Sequence, residues 1–205
     1  DARSVTEDAT AITGSVATND SDVDTGATLS YAAAAGQVAV AGLTFNNDGS
    51  YSFDPSNVAY QDLAEGESRE VAFNYTVSDG TATDTETLTI SVSGINDRPV
   101  VAVVDVAGAV TEDAAATLSD SGSVTFSDAD ATDVLTSSVE LVSATASGGV
   151  IVYSGLQAGL AEAMSLTQTG TNDGSIGGSF SRPNADARFL GHGVTVTDIY
   201  RIRPQ

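Results

Sequence analysis

Apolar and polar residues alternate along much of this chain. Segment 71–77 (VAFNYTV) has apolar residues at every second position, and segment 88–92 (LTISV) does the same. Because successive side chains of a strand point to opposite faces, this pattern predicts strands with one buried face. Short strands of this kind, about seven in each of two units, predict an all-β chain of antiparallel β-sandwiches with an immunoglobulin-like outline. Only residues 155–166 have a helical period, which predicts one or two helical turns.

Two Asn-Asp-Gly sequences mark tight turns. The first, at residues 47–49, precedes the alternating segment 50–53, and the second lies at residues 172–174. Asn-Asp-Gly between strands is typical of a β-hairpin, because Asn, Asp and Gly tolerate the backbone conformations that such turns need. We therefore interpret Asp48 and Asp173 as turn residues and not as ligands.

The chain repeats itself once. Residues 5–24 resemble residues 110–130, and both segments begin with Val-Thr-Glu-Asp. Residues 46–53 and 63–77 have later counterparts at 171–180 and 190–202. A single repeat of this length predicts two tandem domains and not a short-period solenoid. We place the first β-sandwich repeat at residues 1–97 and the second at 98–205, with an insertion around 140–168.

The two predicted repeats do not match at their ends. The first repeat has few residues before its Val-Thr-Glu-Asp, whereas the second has a longer leading segment. The second repeat lacks its final strand, the counterpart of the strand at 88–92 in the first. Three interpretations follow: a fragment, strand exchange in which one subunit completes its neighbour, or a second repeat that folds around the gap using its insertion. In segment 194–202 the alternation also places Asp198 on the inward face, which predicts either a bulge or an open face there.

The charge balance excludes some partners and favours others. The chain has 28 acidic residues against seven Arg, with no Lys, and a net charge of −21. Such a chain repels phosphate backbones, so nucleic acid is a poor partner. No run of about 20 apolar residues occurs, so we expect no membrane insertion. The absence of Cys excludes disulfides and thiolate metal sites, which leaves Ca²⁺ as the expected stabilising cofactor.

The acidic residues form short clusters that repeat in the two halves. Calcium prefers six to eight oxygen ligands, and carboxylates at alternate positions can face the same point. The candidate ligands of the first half are Glu7, Asp8, Asp20, Asp22 and Asp24, with Asp79 and Asp84 flanking a turn as weaker candidates. Those of the second half are Glu112, Asp113, Asp128, Asp130 and Asp133. We expect Glu7 and Asp8, from the start of the domain, to approach the same point as the Asp20 group. For any one of these residues, ordinary turn chemistry is the alternative interpretation.

Several motifs together resemble a known family. The sequences VTED, NDGSYSFDP, YQDLAEGE, FNYTVSDG and LTISVSGINDRP occur in this order in the first half. They resemble the VCBS and cadherin-like repeats of large bacterial surface proteins, notably RTX-type adhesins. The resemblance implies secreted, calcium-stiffened β-sandwich modules in series at the bacterial cell surface, with neighbouring repeats as partners and roles in adhesion and biofilms. It also implies that Asn96 and Asp97 help to ligate calcium at a domain joint.

Alternative functions are a self-assembling filament of identical subunits joined by strand exchange, or a carbohydrate-binding accessory module that contacts surface glycans. We expect no enzymatic activity. The single histidine, His192, lies in a predicted turn, the chain has no Cys, and no Gly-x-Ser-x-Gly sequence is present.

Overall fold

The computed structural model describes residues 1–24, 26–149 and 151–204. Thr25, Val150 and Gln205 lie outside this range; all three belong to the predicted domains, and Val150 belongs to the predicted insertion. The described residues form 13 strands and one α-helix, so the all-β prediction is confirmed. The chain divides into two compact units. The first contains Asp1–Asp97 and Ala129–Thr132, and the second contains Arg98–Asp128 and Asp133–Gln205.

The first unit has two sheets. Their strands are β1 (Ala2–Thr6), β2 (Ile12–Ser15), β3 (Ser30–Ala33), β4 (Leu43–Phe45), β5 (Ser50–Phe53), β6 (Ser68–Ser78) and β7 (Thr83–Ser93). One sheet has the strand order β1-β7-β6-β3 and the other β2-β5-β4. β1 pairs with β7 in parallel, and the other pairs are antiparallel.

The core of the first unit lies between these sheets. On β7, Leu88 and Val92 are fully buried and Ile90 is 1% exposed, while the residues between them are partly exposed. Phe53 of β5 belongs to the same buried cluster. Residues of both sheets therefore share one core, as in a sandwich, and the alternation in the sequence is the cause.

The predicted hairpin at residues 47–49 is confirmed. It joins β4 to β5, and Gly49 has φ 78°, a conformation that glycine adopts without steric cost. The Asp48 carboxylate accepts hydrogen bonds from the backbone N–H of Ser50 at 2.9 Å and from its hydroxyl at 2.6 Å. These bonds lower the pKa of Asp48. Asp48 thus serves the turn, as expected from the sequence.

The second unit also has two sheets, with a smaller core. The elements are β8 (Val100–Asp105), β9 (Thr117–Ser127), β10 (Ser137–Ala146), α1 (Ser154–Ala161), β11 (Met164–Thr169), β12 (Gly174–Pro183), a short 3₁₀ helix (Asn184–Asp186) and β13 (Val196–Pro204). One sheet has the order β11-β12-β9-β8, and the other pairs β10 with β13. The buried cluster contains Val124, Phe126, Leu135 and Ile176.

Segment 155–166 is only partly helical. Helix α1 buries Leu156 and Leu160, which lie four residues apart on one face. These eight residues form about two turns, so the predicted one or two helical turns are present. The rest of the segment is not helical, because Met164 begins β11 and pairs with Phe180 of β12. No helix in the described part of the chain has the length and apolar character needed to cross a membrane.

Candidate metal centre

Glu7 is held at the end of β1 by the chain that follows β7. Its backbone N–H donates to the Ser93 carbonyl at 3.1 Å, which extends the parallel pairing of β1 with β7. Its Oε1 accepts a hydrogen bond from the Ile95 N–H at 2.8 Å. The side chain is fully buried, and its Oε2 has no hydrogen-bond partner among the described residues. The fold therefore fixes one carboxylate oxygen and leaves the other for a further ligand.

Other carboxylates surround Glu7 within the first unit. Burial raises the pKa of Glu7, the Ile95 N–H opposes this rise, and the negative charges of Asp97, Asp130 and Asp8 add to it. Asp130 is also fully buried, and its Oδ2 accepts a hydrogen bond from the Asp97 N–H at 2.8 Å. Glu7, Asp97 and Asp130 therefore lie close together. Neighbouring carboxylates that are removed from water favour the binding of a cation, because the cation compensates their negative charges.

Asp130 also belongs to a compact acidic loop. Asp128, Asp130 and Asp133, which we call the acidic triad, each have a carboxylate oxygen within 4.8 Å of the others. Asp128 is 8% exposed and Asp133 is partly buried. Calcium–oxygen distances are about 2.3–2.6 Å, so two oxygens on opposite sides of one ion lie about 4.6–5.2 Å apart. The spacing of the triad therefore fits a single calcium ion.

A second group of predicted ligands borders a concavity in the first unit, which has a volume of about 550 Å³. Asp20, Asp22, Asp79 and Asp84 all border it, together with Asp1 and Glu86, which the sequence analysis did not select. The sequence suggested that Glu7 and Asp8 approach Asp20. In the structure Glu7 lies with Asp97 and Asp130 instead, and the predicted ligands of the first half form two groups.

Several carboxylates of this second group act in turns. Asp79 accepts hydrogen bonds from the backbone N–H groups of Ala82 and Thr81, both at 2.7 Å, and these bonds lower its pKa. Asp22 accepts from the Asp24 N–H at 2.7 Å. These are the turn roles that formed the alternative interpretation.

Asp20 has a different environment. Burial raises the pKa of Tyr31 to about 12, and the neighbouring Asp20 carboxylate adds to this rise. Asp20 Oδ2 is buried and has no hydrogen-bond partner among the described residues.

The family comparison concerns the first unit. Residues 1–94 match the family model of the bacterial cadherin-like domain. The match extends from β1 through β7 and supports a cadherin-like fold for this unit, which we now call the cadherin-like unit. Comparison with curated proteins finds no match.

Solved structures similar to the chain include cadherin fragments. PcdhgB3 EC1-4 is 11% identical with a TM-score of 0.43, and 86% of this chain covers 39% of it. The extracellular cadherin domains 1–5 of protocadherin gamma B2 are 12% identical with a TM-score of 0.39, over 86% of this chain and 31% of that one. Cadherin-like domains 1 to 4 of zebrafish RET are 12% identical with a TM-score of 0.28, over 76% and 32%. The chain thus spans less than two fifths of each.

In the second unit, the counterparts of Glu7 and Asp8 have other surroundings. Asp113 has φ 59° and forms reciprocal hydrogen bonds with Asn184: its N–H donates to Asn184 Oδ1, and Asn184 Nδ2 donates to its Oδ1, both at 2.8 Å. Arg188 Nε also lies 4.0 Å from Asp113 Oδ1. Glu112 borders a concavity of about 510 Å³ and, like Asp113, is not part of the acidic triad. Asn184 has no motif around it and is distant in sequence, so sequence analysis missed it.

The remaining predicted ligands are exposed. Asp8 and Asp24 are exposed, and Asp84 accepts a hydrogen bond from the adjacent Thr85 N–H at 2.8 Å. Asn96 is exposed as well, and its side chain donates to the Asp97 carbonyl. Of the predicted pair Asn96 and Asp97, Asp97 is therefore the one that contacts another predicted ligand.

Asp198 interrupts the inward face of β13. It lies on the partly buried face together with Val196, Tyr200 and Ile202, as the alternation predicted. The register of the neighbouring strand β10 shifts between Leu141 and Ser143, so the bulge lies on the partner of β13. Asp198 Oδ1 is buried and has no hydrogen-bond partner among the described residues. Burial raises the pKa of Asp198, and the nearby Arg182 opposes the rise.

We expect Asp198→Val to stabilise the second unit by about 1 kcal/mol at neutral pH, since it removes a carboxylate that is buried without a hydrogen bond. An acid whose pKa is raised by folding destabilises the fold when ionised. The advantage of the variant should therefore shrink as pH falls through the raised pKa toward the ordinary value of about 4. Thermal unfolding of the variant and the unaltered chain at neutral pH and at about pH 4 measures this difference in stability. The control is Thr197→Val, on the exposed face of β13. Equal effects of the two substitutions would contradict the prediction.

Proposed function

We propose that this chain is a calcium-stabilised structural module of a secreted bacterial surface adhesin, of the VCBS and RTX type that its motifs resemble. The observation that carries the proposal is the full burial of Glu7 beside Asp97 and Asp130, with one Glu7 oxygen left without a hydrogen bond among the described residues. The match of residues 1–94 to the bacterial cadherin-like domain supports an extracellular, adhesion-type module.

The charges of the chain favour a metal ion over protein cations as the counter-charge. The chain has 28 acidic residues and seven Arg, so Arg side chains can neutralise at most seven carboxylates one to one, and at least 21 negative charges exceed that number. Transfer of an ionised carboxylate into a protein interior costs several kcal/mol unless the charge is compensated. A divalent cation compensates two carboxylates at once and accepts oxygen ligands only, which is the chemistry that these side chains offer.

The acidic triad would supply three of the six to eight oxygens that calcium prefers, with backbone carbonyls and water as the usual remaining ligands. Burial raises the pKa of Glu7 and the charge of Asp130 adds to this rise, so a cation beside Asp130 would compensate the Glu7 carboxylate as well. Calcium would thereby order loops whose carboxylates otherwise repel one another. Repeats ordered in this way would serve as extenders that hold an adhesive region away from the cell surface.

Calorimetric titration of the intact chain with CaCl₂ tests the proposal. We expect binding with a dissociation constant of roughly 10⁻⁴–10⁻³ M, the range of extracellular calcium modules. Asp130→Asn should weaken the binding at least about tenfold, because it removes a charged ligand from the centre of the site. Asp48→Asn makes the same change of charge in an exposed turn of the cadherin-like unit and should leave binding unchanged. Unchanged binding by Asp130→Asn, or no binding by the unaltered chain, would refute the proposal.

A further inference from the structure

Arg69 lies at the start of β6, on the same face of the strand as Val71, Phe73 and Tyr75. Those three side chains are buried in the core of the cadherin-like unit. Arg69 is a charged residue at a position where the alternation leads us to expect an apolar one, and 41% of its side chain is exposed. Because a charged group at the rim of a core is costly without a partner, the contacts of Arg69 indicate its role.

The guanidinium of Arg69 binds the segment 59–62, which precedes β6. Its two Nη atoms donate to the two carboxylate oxygens of Asp62, each at 3.0 Å, and Nη1 also donates to the Ala59 carbonyl. The hydrogen bonds from Arg69 lower the pKa of Asp62, so this carboxylate is ionised at neutral pH. A bidentate pair of this kind fixes the orientation of both side chains. Arg69 therefore holds the segment at both of its ends.

The backbone of Asp62 contacts the segment Ala129–Thr132. The Asp62 carbonyl accepts a hydrogen bond from the Ala131 N–H at 3.2 Å. This segment follows β9 in the sequence, but it belongs to the same compact unit as Asp62. The bond from the Asp97 N–H to Asp130 Oδ2, described above, attaches it at a second point. Both bonds therefore act on the segment that contains Asp130.

The segment Ala129–Thr132 buries little apolar surface. Ala129, Ala131 and Thr132 are exposed, whereas Asp130 is fully buried. A segment whose buried side chain is a carboxylate gains little from the hydrophobic effect, so its position depends on polar contacts. The hydrogen bond from Ala131 to Asp62 therefore contributes directly to the placement of Asp130.

We propose that Arg69 is a positioning residue of the metal centre. It orients Asp62, whose carbonyl accepts the hydrogen bond from Ala131. Asp130, the residue before Ala131, is thereby kept beside Glu7. The inference rests on the proposed function, because it assigns a part in calcium binding to a side chain that is not a ligand. An arginine has no acceptor atom for a cation, so Arg69 acts on calcium through geometry.

A positioning role and a simple effect of charge predict different results. Arg69→Gln removes a positive charge, so charge alone predicts tighter binding of calcium. Asp62→Asn removes a negative charge, so charge alone predicts weaker binding. The positioning role predicts weaker binding for both variants, because each breaks the bidentate pair. The direction of the change in Arg69→Gln therefore separates geometry from charge.

Calorimetric titration of the intact chain with CaCl₂ measures the effect. We expect Arg69→Gln and Asp62→Asn each to raise the dissociation constant roughly threefold or more, as expected for the loss of a half-exposed bidentate pair. Arg69→Lys keeps the charge but loses the bidentate geometry, so it should weaken binding as well. The control is Arg201→Gln, because Arg201 is similarly exposed and pairs with Glu140 in the second unit. It should leave the constant unchanged. An equal or lower dissociation constant for Arg69→Gln would overturn the proposal.

Hydrogen exchange in EGTA, resolved by residue, tests the positioning without calcium. The Ala131 amide should exchange roughly tenfold faster in Arg69→Gln, because its acceptor is no longer held in place. The amides of β7 should keep their protection, which shows that the variant is folded, and Arg69→Lys gives the same test with the charge retained. Unchanged exchange at Ala131 in both variants would refute the proposal. If the unaltered chain binds no calcium, the proposed function fails and the calcium role of Arg69 with it, whereas exchange at Ala131 still shows whether Arg69 holds the segment.

Discussion

Removal of calcium should lower the melting temperature of the cadherin-like unit by roughly 10 °C or more. A ligand present at 100 times its dissociation constant stabilises the folded state by about 2.7 kcal/mol. For a site of about 10⁻⁴ M affinity, this corresponds to about 10 mM calcium. In a domain of roughly 100 residues, each kcal/mol shifts the melting temperature by about 4–8 °C. Release of calcium would also restore the repulsion of the Glu7 carboxylate by Asp97 and Asp130, whose negative charges add to the rise that burial causes in the pKa of Glu7.

Differential scanning calorimetry with CaCl₂ and with EGTA measures this effect. Magnesium is the ionic control, because it requires a smaller octahedral site and should stabilise the unit less. Asp130→Asn should abolish most of the difference between calcium and EGTA, whereas Asp48→Asn should preserve it. The same melting temperature in both solutions would contradict the proposed role of calcium.

Leu88→Ala should destabilise the cadherin-like unit by about 2–5 kcal/mol. Leu88 is fully buried on β7, and β7 lies between β1 and β6 in its sheet. Truncation of a buried leucine loses its transfer free energy and leaves a cavity that the surrounding side chains fill only in part. Since domains of this size are stable by about 5–15 kcal/mol, the variant should lose a large fraction of the total stability.

Urea denaturation in calcium, followed by tyrosine fluorescence, measures the loss. Val58→Ala is the control, because Val58 is 86% exposed and its truncation should change the free energy of unfolding by no more than about 0.5 kcal/mol. A similar change for both variants would mean that β7 does not lie at the centre of the core.

The strands of the cadherin-like unit follow from local pattern. The alternation in β6 and β7 identifies the buried face residue by residue, because the period of a strand equals the period of the sequence. The turn at residues 47–49 is equally local, since Asp48 and Gly49 satisfy it with their own chemistry. In the second unit the same rule placed Asp198 on the inward face of β13.

The acidic clusters were visible in the sequence, but their grouping was not. Asp128, Asp130 and Asp133 lie within six residues of one another, so a short loop can gather them. The association of Glu7 with Asp97 and Asp130 depends instead on the pairing of β1 with β7 and on where Ala129–Thr132 packs. The spacing of residues along the sequence contains no information on such pairings. The sequence therefore could not predict that Glu7 lies near Asp97 and Asp130 and not near Asp20.

By itself, the sequence determined the all-β class, the alternating strands, the Asn-Asp-Gly turns and the supply of oxygen ligands, because each depends on residues that are neighbours along the chain. Tertiary structure decided which carboxylates meet and where α1 ends and β11 begins. These features depend on pairing between distant segments, such as Met164 with Phe180 or Asp113 with Asn184. Their free energy comes from contacts that form only when the whole unit folds.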